Sequence, residues 1–340
     1  MTNAETQLVQ NPLCPGCGHL CQLLLKAVDQ NRRSSCDEFH YYDCPECGLV
    51  YLYPIPRNLS DYYRSDYPQY SIPETSEALN ERAKAATPRV SFVQRFAPKG
   101  KLLEVGAGYG AFSYRAQQMG FEVQAVEMDA SCCDYMAKMG IRAICSSSFD
   151  SLDGVLGAFD AIALWHVVEH LENYSKAINV LSRHLSPDGV LVICTPNPLS
   201  LQFKLFSRFW VSLDAPRHLY LVPLEVLTTC AAENGLELAF SSASDPEALA
   251  FNKWCWEASL VLWMVSAGAM PGMGIRQILG SERSTIRKSL DIVRRVAFKS
   301  VAIGLGRTLN FLLAPLERSG YRGTSYSAVF RKSISSTSES

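Results

Sequence analysis

The chain lacks an excess of charge of either sign: 32 Lys+Arg stand against 33 Asp+Glu over 340 residues, a net charge of -1. Without a basic surplus it has no global footprint for a polyanion, so nucleic acid is not an expected partner, and it has no acidic tail. Residues 1–10 carry no apolar core, so no secretory signal is expected there. Long apolar runs are missing as well. The best candidate, 258–275, is uncharged, but Pro271 and three glycines interrupt its second half, and a membrane span is not expected. The expected compartment is the cytoplasm. What is present is ample apolar material, 48% hydrophobic against 19% charged residues, enough to exclude disorder as the main state and to fill roughly two domains.

Cysteine is abundant, 12 in all, and six fall within the first 47 residues. Four of these form two pairs, Cys14-Pro-Gly-Cys17-Gly18 and Cys44-Pro-Glu-Cys47-Gly48. Each pair reads as a tight turn that points two thiolates at one place, with the glycine supplying the positive φ. Two facing turns make a tetrahedral sulfur site suited to a structural zinc ion, so residues 11–53 are expected to form a zinc ribbon with Cys14, Cys17, Cys44 and Cys47 as ligands. Cys21, Cys36, His19 and His40 lie nearby and are read as bystanders. A closed four-sulfur site has no open position and is not expected to catalyse. Residues 54–98, punctuated by Pro54, Pro56, Pro68 and Pro73 and rich in tyrosine, read as a connector whose helical part is placed to act as a lid.

From Lys101 strands and helices alternate. Strands are expected at 102–105, 121–126, 141–145, 159–164 and 190–194, with helices at 111–119, 131–139 and 174–184. This is the pattern of a doubly wound parallel α/β sheet. Such sheets bind ligands at the carboxyl ends of their strands, where the turn Gly106-Ala107-Gly108-Tyr109-Gly110 lies. Glu127, at the end of the second strand, is placed to accept hydrogen bonds from two ribose hydroxyls. The turn reads Glu-x-Gly-x-Gly-x-Gly, not the Gly-x-Gly-x-x-Gly of a dinucleotide site. Glu104 stands where a pyrophosphate would be repelled and an ammonium would be welcome.

That combination resembles the class I S-adenosylmethionine-dependent methyltransferases, over about residues 99–245 plus a last strand near 325–331. The stretch from Phe159 through His166, Glu169 and His170 resembles the fourth-strand motif of the small-molecule members, including the ubiquinone-type O-methyltransferases. The segments around Asp188-Gly189, Thr195-Pro196-Asn197 and Asp214-Ala215-Pro216-Arg217-His218 are similar to others of that group. A four-cysteine module in front resembles certain sugar methyltransferases of bacterial surface and antibiotic pathways. The resemblance implies a seven-stranded Rossmann-like sheet over 99–245 and 324–332. It implies that Glu104 holds the methionine amino group, that Gly106, Ala107, Gly108 and Gly110 pass beneath the cofactor, that Glu127 binds the ribose, that Met128 lies against adenine, and that His166 borders the methionine half. An acid often found after the third strand is replaced here by Ser146-Ser147-Ser148.

Transfer to a hydroxyl or carbon needs a proton removed, usually by a histidine or carboxylate. His218 and His166 are the expected catalytic residues, with Glu169 and His170 as supporting candidates. If that stretch is helical, His166 and His170 share a face. The remaining segment, 246–323, carries 11 Lys+Arg and 5 Asp+Glu, with apolar runs at 260–265 and 309–316 and a basic amphipathic pattern over 286–299. It reads as a helical insertion serving as a cap or dimer face, or as a peripheral membrane contact at the inner leaflet. The expected function is methyl transfer to oxygen or carbon of a small molecule or sugar, including a lipid-linked one. The alternatives are an RNA methyltransferase with an amino-terminal zinc module and a non-catalytic zinc-ribbon adaptor. Against RNA, the Asn/Asp-Pro-Pro-aromatic turn used on base amino groups is absent, and Trp165-His166-Val167 stands in its place.

Overall fold

A computed structural model describes residues 11–63, 70–266 and 289–333. At the amino end, β1 (Gln22–Ala27), β2 (Phe39–Asp43) and β3 (Val50–Leu52) pair antiparallel in sequence order. The two cysteine turns precede β1 and β3. Each closes through its glycine: Gly18 N–H donates to the Cys14 carbonyl and Gly48 N–H to the Cys44 carbonyl, both at 2.9 Å. Both glycines have positive φ, 77° and 71°, as the pattern requires.

The ribbon does not close on itself. Its fourth strand is β9 (Tyr220–Leu221), contributed from nearly 170 residues downstream, with Val50 opposite Leu221 and Tyr51 opposite Tyr220. The segment after it is helical at α1 (Ser76–Ala85), capped by Thr75, and at α2 (Thr87–Gln94), where Pro88 occupies the first turn. Pro88 therefore starts a helix as well as separating two, because the first turn needs no amide hydrogen there. Both helices pack against α3 (Ala111–Gln118).

The main sheet has seven strands in the order β10-β11-β8-β7-β4-β5-β6. These are β4 (Gly100–Val105), β5 (Phe121–Glu127), β6 (Arg142–Cys145), β7 (Phe159–Trp165), β8 (Leu185–Pro196), β10 (Leu236–Ser242) and β11 (Ser325–Lys332). β4 to β8 are parallel, whereas β11 runs antiparallel to both of its neighbours. The five strands expected to be parallel are so, and the seven-stranded sheet is mixed through β11, which returns from the insertion and not from a crossover helix. β8 also begins earlier than expected. Leu185 pairs with Phe159, residues 186–189 bulge out, and pairing resumes at Val190 opposite Ala161. Helices α4 (Ala130–Lys138), α5 (Tyr174–Arg183) and α7 (Leu224–Glu233) complete the winding. The strand order reverses between β4 and β7, which puts the ligand crevice at their carboxyl ends.

The insertion contributes α8 (Pro246–Ser266), which packs on α6 (Leu201–Phe206) and on α9 (Ser289–Arg318). Cys255, Trp256, Ala258, Val261 and Leu262 are buried, so much of the apolar run at 260–265 is core. Among the described residues no helix is long and apolar enough to cross a membrane. On α9, Phe311 and Leu312 stay 79% and 61% exposed. The basic pattern over 286–299 begins outside the described residues.

One ion network ties the amino-terminal module to the sheet. Arg217, fully buried, grips two carboxylates with both ends of its guanidinium. Nη2 lies 2.7 Å from Asp29 Oδ1 and 2.7 Å from Asp214 Oδ1, Nη1 3.2 Å from Asp29 Oδ2 and Nε 2.9 Å from Asp214 Oδ2. Burial opposes ionisation of both acids, and the guanidinium overrides it, holding each carboxyl below its ordinary range. Arg217→Ala would leave the buried Asp29 and the half-buried Asp214 without the guanidinium that neutralises them, held by neutral donors such as Ser34 and Asn31. Urea unfolding is expected to show a loss of about 3–5 kcal/mol, and a loss below about 1 kcal/mol would contradict this account of the network.

Candidate active site

The turn after β4 enters with Gly106, Gly108 and Gly110 at φ of 72°, 55° and 83°, a run that side chains other than glycine rarely adopt. A Cβ on Gly106 would stand 2.5 Å from Val167 Cγ2, so the turn is pressed against the end of β7. Glu127 organises the turn. Its carboxylate accepts from Gly108 N–H at 2.7 Å, from Met128 N–H at 2.7 Å and from Asp129 N–H at 3.0 Å. Ala107 is half-buried, and the Met128 side chain is 46% exposed beside the crevice. Ser146 and Ser148 are engaged in local turn hydrogen bonds.

Glu104 is buried and, among the described residues, has no ion-pair partner within contact distance. One oxygen accepts from the Ser113 hydroxyl at 2.6 Å and from Ser113 N–H at 3.1 Å. Burial pushes its pKa up to about 7 despite those bonds. A buried acid with no salt bridge among the described residues, beside a glycine turn and with a second acid at the next strand end, is the donor set for a cationic amino acid joined to a ribose. The residues therefore fit S-adenosylmethionine.

The second half of the site follows β7. His166 takes a left-handed conformation, φ 55°, and Val168–His170 is a single 3-10 turn. The expectation that His166 and His170 share a helical face is corrected accordingly, because the backbone breaks at His166. The His166 ring stacks on Phe251 of α8 at 4.4 Å between centroids. Its Nδ1 is 3.3 Å from Glu169 Oε1, and its Nε2 is 3.7 Å from Cys194 Sγ. Burial disfavours the imidazolium, but the Cys194 thiol and Glu169 outweigh it and raise the pKa to about 10.

Glu169 is completely buried. Thr195 Oγ1 donates to its Oε2 at 3.0 Å, and Oε1 has no hydrogen-bond partner. Burial opposes its ionisation, and the histidines around it prevail, lowering its pKa to about 2. His170 and His218 complete the group, with rings edge to face at 4.6 Å. His170 Nδ1 is 3.0 Å from the Arg217 carbonyl and 2.9 Å from the Tyr63 hydroxyl, and His218 Nδ1 is 2.7 Å from the Ser212 carbonyl. Burial, then the neighbouring His218, lower the His170 pKa to about 4.

The sequence thus named His166, Glu169, His170 and His218, and the fold brings all four together. Spacing gave no sign of Phe251, or of Arg89 on α2, which ion-pairs with Glu247 of α8 and lies 5.6 Å over the Trp165 ring. These contacts join the connector and the insertion next to the site.

At the amino end, Cys14 Sγ is 3.6 Å from Cys47 Sγ and Cys17 Sγ is 3.4 Å from Cys44 Sγ. All four sulfurs lie within 4.8 Å of one another. Tetrahedral zinc with bonds of about 2.3 Å spaces its sulfurs at about 3.8 Å, so the four cysteines fit a zinc ion.

The strand order, with its antiparallel β11 and the acid–glycine turn after β4, defines a Rossmann-like methyltransferase fold. Residues 77–239, just under half of the chain, match the model of a family described as methyltransferase domain. The match begins inside the segment read as connector, in keeping with the packing of α1 and α2 on α3. A curated relative, a ubiquinone biosynthesis O-methyltransferase of Rickettsia conorii, is 29% identical over 102 residues. That alignment covers 28% of this chain and 35% of the relative's length. Among solved structures, a SAM-dependent methyltransferase of Archaeoglobus fulgidus is 16% identical, with 74% of this chain and 94% of that one covered and a TM-score of 0.43. A putative sarcosine dimethylglycine methyltransferase of Galdieria sulphuraria is 18% identical, with 75% and 86% covered and a TM-score of 0.41.

Proposed function

We propose that the chain transfers a methyl group from S-adenosylmethionine to oxygen or carbon of a small molecule or sugar. The observation that carries this reading is the Glu169–His170–His218 cluster, buried at Glu169 and His218 and half-buried at His170, beside His166 on the same strand ends as the acid–glycine turn. S-adenosylmethionine, when bound, supplies an electrophilic methyl. Glu104 would hold its amino group, the backbone of Gly106, Ala107, Gly108 and Gly110 would line its path, and Glu127 and Met128 would meet the ribose and adenine. His166, held protonated between Glu169 and the Phe251 ring, borders the donor. The acceptor's proton passes to the cluster. A carbonyl can only accept, so the Nδ1 contacts place the hydrogen of each neutral ring on Nδ1 and leave Nε2 of His170 and His218 with a free lone pair. Glu169 stabilises the imidazolium that results. Cys14, Cys17, Cys44 and Cys47 hold a structural zinc.

The direct experiment presents methyl-labelled donor with a panel of hydroxylated small molecules, sugar nucleotides and RNA. Label in a small molecule or sugar is expected, and label confined to RNA would overturn the acceptor class. Peripheral membrane contact through 246–323, with a lipid-linked acceptor, is a second reading supported by the exposed Val301, Phe311, Leu312 and Leu316 on α9.

The state of Glu104 gives a pH test. In the free chain its pKa is about 7, above that of an ordinary carboxyl, so it is largely protonated at pH 6. An ammonium beside it favours the ionised form, so binding releases a proton. Affinity for the donor is therefore expected to rise with pH up to about 7, by as much as roughly tenfold per unit, and then level off. Calorimetric titrations between pH 5.5 and 8 measure this, and an affinity that falls over that range would remove Glu104 from the amino-group site.

A further inference from the structure

We propose that Glu169, His170 and His218 form a second metal site, one that takes a divalent cation of the zinc class. One ligating atom from each residue lies within 4.8 Å of those of the other two. The tautomers suit it. Both Nδ1 atoms are committed to backbone carbonyls, at 3.0 Å from Arg217 and 2.7 Å from Ser212, which is how metal-bound histidines are usually oriented. That leaves Nε2 as the ligating atom of each ring, and among the described residues no hydrogen bond engages either one. The third ligand is fully buried: Glu169 Oε1 has no hydrogen-bond partner, and its one ion-pair contact is His166 Nδ1 at 3.3 Å.

Two imidazoles and one carboxylate make a three-ligand set with positions left over for other ligands, unlike the closed four-cysteine site. A cation there would bind the acceptor hydroxyl and lower its pKa, turning the cluster from a proton acceptor into a site that ionises the acceptor directly. The substrate class narrows accordingly to molecules whose methylated hydroxyl, or enolisable carbonyl, has a second oxygen next to it to complete a chelate. This inference deepens the methyl-transfer reading, but its test does not depend on turnover.

The test is metal content of the full-length protein after equilibration with zinc and removal of free ion. About two zinc ions per chain are expected in the wild type, one at the cysteines and one at the cluster. Each of His218→Asn and Glu169→Gln is expected to lower the count to about one, with the cysteine-bound ion kept. One ion in the wild type would overturn the site, and so would two ions retained in both variants, which would put the second ion elsewhere. His170→Gln replaces either variant if far-ultraviolet dichroism shows that it has lost its fold. Should the count stay at one while the labelled methyl still reaches a small molecule, the metal site fails and the methyl-transfer reading stands.

Discussion

Glu169→Gln is expected to lower kcat by about 10²–10⁴ while leaving affinity for S-adenosylmethionine within a factor of about two. The substitution keeps the size of the side chain and removes its charge. The neutral amide can no longer stabilise an imidazolium on His170 or His218, and it loses the ion pair that holds His166 protonated. The donor pocket, by contrast, is built chiefly from Glu104, the glycine turn and Glu127, none of which bonds to Glu169; only His166, at its border, does. The measurement is a pair of titrations, turnover and donor binding, on the same preparations. A kcat within about threefold of wild type would show that the cluster is not where the acceptor loses its proton.

The second large effect concerns the cysteines. Structural zinc contributes on the order of 10–16 kcal/mol to the folding of small modules, so Cys44→Ser is expected to unfold much of 11–53. The consequence reaches the active site because the ribbon's fourth strand follows His218 directly. Tyr41 Oη donates to the His218 carbonyl at 2.8 Å, and Asp29 anchors Arg217. Leu219 is held on both sides, with its N–H donating to the Glu169 carbonyl at 2.7 Å and its carbonyl accepting from Leu52 N–H at 2.8 Å. Releasing the ribbon loosens His218, and turnover is expected to fall at least about tenfold, the worth of one lost charge-assisted hydrogen bond. Donor binding should persist. Limited proteolysis reports the unfolding of 11–53, and full turnover in a variant so nicked would show that the module has no part in positioning His218.

This coupling is also where reading the sequence stopped. The cysteine turns, the glycine turn, Glu127 at a strand end and the alternation of strands and helices are local patterns, each written within about ten residues, and each was legible. The pairing of β3 with β9, and the grip of Arg217 on Asp29, join residues more than 160 positions apart. Nothing in spacing records them. His218 was singled out for its place after the fifth strand, but its meeting with Glu169 and His170 depends on that same long-range pairing. The shared face that a helix would give His166 and His170 does not form, because His166 is left-handed, a conformation that its residue type does not reveal. The stacking of Phe251 on His166 was hidden for a further reason: α8 is apolar on most of its surface, so periodicity marks no one side as facing the site.

The central claim is that this chain binds S-adenosylmethionine at the glycine turn. Its most direct test is calorimetric titration of the donor into the folded, zinc-loaded protein and into Glu127→Ala. Micromolar binding, about -8 kcal/mol, is expected for the wild type. Removing the acceptor shared by the Gly108, Met128 and Asp129 amides is expected to cost about 3 kcal/mol, roughly a hundredfold in Kd. Absence of binding by the wild type, or equal affinity in the variant, would contradict the account.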